Sequence, residues 1–261
     1  MILEKIAAST RIRVEKAKKK NSLAKMKQLA FDRNTEVQFP FEKTLEKEGI
    51  HFICEVKKAS PSKGIIAENF PYLEIALEYE QAGAAAISCL TEPAYFLGKD
   101  QYLKEIADNV QIPVLRKDFI IDEYQIYEAK ALGADIVLLI CTLLDPKTLK
   151  EYITICDSLG LSALVEAHDE EELSTALLAG ARIVGVNNRN LKDFTVDLQN
   201  SIRLRALAPD HVFFIAESGI RSAADVNKLR SAKVNGVLIG ETLMRSENKK
   251  EMLEQLRKTY D

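Results

Sequence analysis

From residue 51 onward the chain repeats one unit: a segment of helical period, a break of small residues that often contains Gly-Ala, and a short apolar strand. Strands that alternate with helices are typical of right-handed βαβ units and predict a parallel sheet. The repeat predicts eight strands, near 51–57, 84–90, 113–117, 134–140, 161–166, 182–187, 211–216 and 235–239.

Two architectures contain such a sheet, an open doubly wound sheet and a closed barrel. The predicted strands 136–140 and 212–215 are nearly continuous apolar runs, which is typical of strands covered on both faces. Eight evenly repeated units, without a Gly-rich dinucleotide motif after the first strand, favour an α/β protein of the (β/α)8 TIM-barrel class. A solenoid is disfavoured because its repeats would resemble one another in sequence.

The first fifty residues have a different pattern. The segment 10–33 is rich in Lys and Arg and carries apolar residues at helical spacing, which predicts one or two helices lying across an end of the barrel. We therefore expect a helical extension over 1–50, packed on a single barrel domain over 51–261. A basic amphipathic helix that binds a membrane or a partner is the alternative; the thin apolar stripe and the absence of Trp disfavour it.

Composition excludes several classes of function. The net charge of −3 provides no basic field for nucleic acid or an anionic membrane. No apolar stretch is long enough to cross a bilayer, and the three histidines lack metal-ligand spacing. The four cysteines lie far apart and mostly within apolar strands, as expected of reduced thiols in a cytoplasmic protein: Cys54, Cys89, Cys141 and Cys156.

Strand parity predicts where the charged residues lie. Alternate side chains of a barrel strand point inward, and Glu55 and Lys57 alternate with a wholly apolar set that we expect to face the helices. The same test places polar side chains at the inward carboxyl ends of further strands, and these ends converge on the face where barrel active sites lie. The predicted cluster is Glu55, Lys57, Lys117, Glu166, Asn187 and Glu217, with Arg189 just beyond the sixth strand.

Two stretches have the chemistry of a phosphate site. Glu217-Ser218-Gly219-Ile220 follows the seventh strand and precedes a helix whose predicted cap is Ser222, and Gly240-Glu241 follows the eighth strand. Glycines let backbone amides approach a ligand, and loops after these two strands often bind phosphate in barrels. A phosphorylated small-molecule substrate is therefore expected.

These residues resemble those of the indole-3-glycerol-phosphate synthases of tryptophan biosynthesis. The resemblance covers essentially the whole chain. Its motifs are 55–62 (EVKKASPS), 90–92 (LTE) with Phe96, 115–119 (LRKDF), 164–166 (LVE), 186–191 (VNNRNL), 217–220 (ESGI) and 238–241 (LIGE). The motifs 55–62 and 115–119 are the most specific.

The resemblance implies conversion of 1-(2-carboxyphenylamino)-1-deoxyribulose 5-phosphate to indole-3-glycerol phosphate, with loss of carbon dioxide and water and without a cofactor. It implies that Lys117 is the general acid for ring closure, that Glu166 is the acid/base for dehydration, and that Lys57 holds the substrate carboxylate and takes part in proton transfer. The orienting residues would be Glu55, Asn187, Arg189 and Glu217.

The resemblance also implies a set of substrate contacts. Phe96 and Phe119 would stack on the aromatic ring, and the phosphate side would comprise Ser60, Ser218, Gly219, Gly240 and Glu241, with Ile220 and Leu238 as further substrate contacts. Glu241 stands where many relatives carry Ser, so its carboxylate is expected to turn away from the ligand. Asn188 also varies in the family.

Two other functions are alternatives to the synthase. A phosphoribosyl isomerase would share the barrel and the phosphate loops, but such enzymes usually work with an Asp or Cys acid/base pair. A binding or scaffold protein derived from an enzyme would be expected to lack at least one of Lys57, Lys117 and Glu166, and all three are present. We expect a monofunctional, monomeric enzyme that interacts with neither nucleic acid nor membrane.

Overall fold

The computed structural model of the protein describes residues 2–33, 38–190 and 193–259. Leu191, which belongs to one of the motifs above, lies outside these residues. Among them, eight parallel strands close into a barrel in the spatial order β1-β8-β7-β6-β5-β4-β3-β2. The strands are β1 (His51–Val56), β2 (Ala86–Leu90), β3 (Val114–Lys117), β4 (Ile136–Ile140), β5 (Ser162–Ala167), β6 (Ile183–Asn187), β7 (Phe213–Glu217) and β8 (Gly236–Ile239).

Helices separate the strands, so the (β/α)8 barrel predicted from the sequence is confirmed. The extension comprises α1 (Ile2–Lys20), α2 (Leu23–Phe31) and α3 (Pro40–Leu45). The later helices are α4 (Tyr72–Gln81), α5 (Asp100–Asn109), α6 (Glu123–Leu132), α7 (Pro146–Ser158), α8 (Glu170–Leu178), α9 (Gln199–Arg205), α10 (Ala223–Ser231), α11 (Glu241–Met244) and α12 (Lys249–Arg257). A two-residue hairpin pairs Ala59–Ser60 with Gly64–Ile65, and a 3₁₀ turn spans Cys141–Leu143.

Polar side chains at the strand-to-helix turns determine where several helices begin. The Asp122 carboxylate accepts the Tyr124 backbone N–H, and the Asp145 and Asp169 carboxylates cap α7 and α8 in the same way. Ser222, the predicted cap of α10, forms a capping box with Asp225. Each such cap satisfies backbone donors that the first helical turn leaves unpaired.

The predicted parity of β1 is confirmed. Phe52, Cys54 and Val56 belong to the apolar layer between strands and helices. Ile53 belongs to the barrel interior, which is filled by inward side chains of the other strands, among them Leu115, Leu138, Leu164, Ile183, Ile215 and Leu238. The barrel is therefore a packed core that carries its polar residues at one end.

The extension reaches both ends of the barrel, whereas the sequence predicted that it lies across one end. Phe41 and Leu45 of α3 pack into the apolar barrel interior, at the end opposite the charged strand termini. In α1, Ile2, Leu3 and Ile6 line the cavity at the other end. The division of the chain at residue 50 into extension and barrel stays a prediction.

A buried charge network ties α1 to the carboxyl end of β3. Arg13 donates to both carboxylate oxygens of Asp118, at 2.7 and 2.8 Å, and the Thr91 hydroxyl donates to the same carboxylate at 2.6 Å. Burial opposes ionisation of Asp118, but Arg13 and Arg116 outweigh it and lower its pKa. Since Arg116 and Asp118 flank Lys117 in the chain, α1 is fixed to the backbone next to the predicted general acid.

Within the described ranges no helix is long and apolar enough to cross a membrane.

Candidate active site

A cavity of about 540 Å³ opens at the carboxyl ends of the strands. Every site residue predicted from the sequence lines it. They are Glu55, Lys57, Ser60, Phe96, Lys117, Phe119, Glu166, Asn187, Arg189, Glu217, Ser218, Gly219, Ile220, Leu238, Gly240 and Glu241. The structure thus brings the predicted set together, and the role of each residue toward a substrate stays a prediction.

Lys117 lies at the centre of the polar cluster. Its ammonium forms an ion pair with Glu217 and lies 3.4 Å from Glu166 Oε2. Burial alone would lower the pKa of Lys117, but the charges of Glu217, Glu166 and Glu55 outweigh burial and raise it. Lys117 is consequently a charged proton donor held between carboxylates that arrive from separate strands.

For Glu217, burial rather than the neighbouring cation decides the direction in which the pKa moves. Burial, with help from the charges of Glu166 and Glu55, raises its pKa to about 7 despite the pairing with Lys117. Its Oε1 atom is buried and has no hydrogen-bond partner in the described part of the chain. Gly185 makes room for this atom, because a Cβ there would lie 2.3 Å from it.

A second lysine–glutamate pair lies at the end of β1. Lys57 donates to Glu55, and the Glu55 side chain is only 5% exposed. A Cβ on Gly240 would come within 2.3 Å of Glu55 Oε2 and 2.8 Å of Lys57 Nζ. Glycine at 240 is therefore what lets the loop after β8 approach this pair.

Glu166 is contacted from several elements. Asn187 Nδ2 donates to Glu166 Oε1 at 3.5 Å, and the His168 Nε2 atom lies 3.4 Å from the same oxygen. His168 was not among the residues predicted from the sequence, where the histidines were tested only for metal-ligand spacing. The available signal was parity: His168 lies two residues beyond Glu166, on the same face.

Two phenylalanines form an apolar wall. The ring centroids of Phe96 and Phe119 are 5.9 Å apart, with 39° between the ring planes. Phe96 is held in a loop folded around Glu92, whose buried carboxylate accepts the backbone N–H groups of Ala94, Tyr95 and Phe96. The wall suits a flat aromatic group, and its position depends on one buried acid.

The loops after β7 and β8 form the predicted phosphate side. Ser218 and Gly219 both have positive φ, at 66° and 83°, and a Cβ at Gly219 would clash with Val196 at 2.3 Å. The Glu241 carboxylate lies 3.4 Å from Lys63 and 3.2 Å from Arg245. Burial opposes these cations, but together they lower the pKa of Glu241.

Further cavity residues were not predicted from the sequence. Basic side chains join the phosphate side, and the apolar start of α1 covers part of the opening; only their approach in three dimensions identifies them. Among them are Ile2, Leu3, Ile6, Lys63, Arg221, Thr242 and Arg245. Among the residues that the structure describes, no group of three or more His, Cys, Asp or Glu side chains is arranged to hold a metal ion.

The chain matches the family model described as indole-3-glycerol phosphate synthase over residues 3–256. A curated indole-3-glycerol phosphate synthase of Ruminiclostridium cellulolyticum is 63% identical, covering 94% of this chain and 95% of the relative. One from Endomicrobium trichonymphae is 56% identical, covering 98% and 100%. Among solved structures, 3-hexulose-6-phosphate synthase from Salmonella typhimurium matches with a TM-score of 0.66, covering 80% of this chain and 97% of that one; at 14% identity the likeness concerns the fold alone.

Proposed function

The chain belongs to the indole-3-glycerol phosphate synthase family, and on this premise we propose which residues of the barrel mouth carry each step of the reaction. The enzyme is a carboxy-lyase that converts 1-(2-carboxyphenylamino)-1-deoxyribulose 5-phosphate to indole-3-glycerol phosphate, carbon dioxide and water. The observation that carries the assignment of roles is the Lys117 ammonium, which lies between Glu166 and Glu217 in a cavity with an aromatic wall and a glycine-containing loop side.

Ring closure requires a proton donor at the ketone. The aromatic carbon that bears the carboxylate attacks the carbonyl carbon, and negative charge develops on the carbonyl oxygen. Lys117 donates a proton to that oxygen, which becomes a hydroxyl group. A buried ammonium aimed at developing charge stabilises the transition state more than the ground state. Loss of carbon dioxide then restores the aromatic ring.

Dehydration requires a group that accepts and returns a proton. Glu166 accepts a proton from the ring carbon next to the hydroxyl-bearing carbon and returns it to the hydroxyl group. The hydroxyl group leaves as water, and the two carbons form the indole double bond. Glu166 fits this work, because its carboxylate lies 3.4 Å from Lys117 Nζ and accepts a hydrogen bond from Asn187. General acid–base groups have to lie within such reach of the atoms they serve.

The two ends of the substrate have to be fixed so that carbon meets carbon. Lys57, beside Glu55 at the end of β1, is the cation for the substrate carboxylate. The phosphate side comprises Ser60, Ser218, Gly219 and Gly240, with Glu241 drawn aside by Lys63 and Arg245. Anchoring both ends turns a floppy chain into a near-attack geometry, which removes an entropic part of the barrier.

A phosphorylated small-molecule substrate agrees with the family. A monomeric state, a cytoplasmic location and the absence of nucleic-acid and membrane partners, all expected from the sequence, stay predictions. The four cysteines are buried free thiols, which agrees with a reducing compartment.

Turnover by the purified protein tests the function directly. Incubation with 1-(2-carboxyphenylamino)-1-deoxyribulose 5-phosphate should release carbon dioxide and develop indole absorbance, whereas phosphoribosyl anthranilate should not be isomerised. Lys117→Ala should lower kcat by about 100-fold or more, the scale of a lost general acid, and should leave substrate binding largely intact.

Lys150→Ala is the matched control, because Lys150 is exposed on α7 and is not among the cavity residues. It should retain the kcat of the unmodified enzyme. An unchanged rate in Lys117→Ala would reject the role given to this lysine, while absence of product from the unmodified enzyme would reject the function itself.

A further inference from the structure

His168 occupies a prepared position behind Glu166. It follows β5 directly and precedes Asp169, which caps α8. Its imidazole lies between two carboxylates: Nε2 is 3.4 Å from Glu166 Oε1, and Nδ1 is 3.0 Å from Glu172 Oε2. The His168 side chain is 20% exposed, and that of Glu166 is 4% exposed, so neither group is a solvated rim charge.

The backbone of His168 is fixed as firmly as its ring. Its N–H donates to Glu172 Oε2 at 2.8 Å, and its carbonyl accepts from Asn200 Nδ2 at 3.0 Å. Glu172 is itself oriented, because Thr142 Oγ1 donates to its other oxygen at 2.5 Å. Three elements, the 3₁₀ turn, α8 and α9, therefore converge to hold one imidazole.

The Nε2 atom of His168 lies near a carboxylate without forming a hydrogen bond to it. It is buried and has no hydrogen-bond partner within the described ranges, although it lies within ion-pair distance of Glu166. Hydrogen bonds at catalytic groups are often long without substrate and tighten when it is bound. A small movement of the Glu166 carboxylate would complete this one.

The charge state of the ring follows from its neighbours. Burial would lower the pKa of His168, but the Glu172 hydrogen bond and the charges of Glu166, Glu172 and Glu217 outweigh it and raise the pKa to about 9. At neutral pH the ring is therefore a cation with both nitrogens protonated. Glu166 then faces cations on both sides, since Lys117 approaches Oε2 and His168 approaches Oε1.

We propose that His168 is a positioning residue for Glu166: its imidazolium, held by Glu172, keeps the Glu166 carboxylate aimed for the dehydration step. This inference rests on the function proposed above, and it adds a group that never touches the substrate. The arrangement resembles the common device in which a carboxylate orients a histidine that serves a reacting group. Here the group that the histidine orients is itself a carboxylate, that of Glu166.

Steady-state kinetics against pH test the proposal in the full chain. His168→Gln should lower kcat by about tenfold, less than the roughly 100-fold scale of losing an acid–base group itself, with little change in KM. In the unmodified enzyme kcat should fall above about pH 9, where the His168 ring loses its proton, and this alkaline limb should be missing in His168→Gln. Glu172→Gln should move the alkaline limb to lower pH, because the ring then loses the carboxylate that helps to raise its pKa.

Two comparisons separate positioning from general structural damage. His211→Gln is the matched control, since His211 is exposed and is not among the cavity residues, and its profile should coincide with that of the unmodified enzyme. In a Glu166→Gln background, His168→Gln should add almost nothing, because residues that act through one another are not additive. A full additional loss there would overturn the proposal.

An alkaline limb that is unchanged in His168→Gln would also overturn it, whatever happens to kcat at neutral pH. If His168→Gln fails to fold, Glu172→Gln decides alone by the same limb. Titration of the His168 ring by NMR gives a readout without turnover: the ring should stay protonated up to about pH 9 and should lose its proton at lower pH in Glu172→Gln. No turnover by the unmodified enzyme would reject the proposed function, and a ring that is neutral at pH 7 would reject the inference by itself.

Discussion

At the scale of single residues, the polar cluster depends on glycine positions, which leave space, as much as on its charged side chains. Gly185 lies opposite Glu166 in the pairing of β6 with β5, and it leaves the space that the Glu217 carboxylate occupies. A buried carboxylate with one unpartnered oxygen is costly when ionised. Its proton is therefore held more tightly in the folded chain than in the unfolded one.

This difference makes stability depend on pH in a predictable direction. The pKa of Glu217 rises from 4.5 to about 7 on folding, so between these values the folded protein binds more protons than the unfolded chain. Its free energy of unfolding then falls as pH rises through that window. Glu217→Gln should flatten this fall, and urea unfolding at several pH values measures it.

Glu247→Gln serves as the control for the loss of one acidic group, because Glu247 is exposed. Its unfolding free energy should follow the unmodified protein across the window. Curves for Glu217→Gln that run parallel to the unmodified protein would contradict the raised pKa.

Much of the residue-level site was predictable from the sequence, because strand parity is a strict two-residue period. Glu55, Lys117, Glu166 and Glu217 followed from it alone. Parity also places His168 near Glu166, but the contacts that fix His168 and Arg13 do not follow from it. His168 is held by Glu172 on α8, and Arg13 on α1 pairs with Asp118 after β3. No local period encodes which helix side chain meets which strand end.

At the scale of elements, the loop between β2 and α5 shows how an acid can organise backbone. Three N–H groups converge on Glu92, and the N–H of Gly98 donates to its carbonyl. A Cβ on Gly98 would lie 2.3 Å from the Leu90 carbonyl oxygen, so the loop closes against its own strand. The aromatic wall is a consequence of this closure, since Phe96 is part of the loop.

Loosening the loop should weaken substrate binding more than chemistry. Glu92→Ala leaves three backbone donors without an acceptor, and the Phe96 ring loses its fixed place beside Phe119. We expect KM to rise about tenfold, the scale of one aromatic contact, with a smaller change in kcat. Steady-state kinetics measure both.

Glu92→Gln is the matched variant, because its amide oxygen still accepts a hydrogen bond. It should fall between the unmodified enzyme and Glu92→Ala in KM. A kcat loss that exceeds the KM change in Glu92→Ala would argue against a role limited to the aromatic wall.

The bounds of regular elements were also largely predictable. The helices α4, α6 and α8 each end at the small-residue break that follows the helical segment of the repeat, since such breaks mark helix ends. The path of the extension was not predictable, because its placement at both ends of the barrel depends on contacts distant in sequence.

At the scale of the whole molecule, the barrel separates stability from chemistry. The end opposite the cavity is closed by α3, where Phe41 is fully buried and Leu45 is 2% exposed. The Glu42 carboxylate pairs with Arg182 at 2.9 Å beside them. The charged cluster lies at the other end of the same strands, with the apolar interior between.

Damage at the closed end should therefore be thermodynamic. Phe41→Ala should lower the free energy of unfolding by about 3–5 kcal/mol, the cost of emptying a well-packed aromatic site. The kcat of the fraction that remains folded should change little. Chemical denaturation and kinetics on one preparation measure the two quantities.

Leu207→Ala is the control for the loss of an apolar side chain, because Leu207 is 53% exposed, and its unfolding free energy should stay close to that of the unmodified protein. A large fall in kcat for folded Phe41→Ala would show that the two ends are coupled.

The closure of one barrel end by α3 also determines how substrate and products pass in and out. With Phe41 and Leu45 sealing the far end and side chains filling the interior, the described residues leave no path through the barrel. Carbon dioxide and water have to leave past the bound organic product, through the opening by which the substrate entered. The indole product therefore has to leave through the same opening before the next substrate molecule can bind.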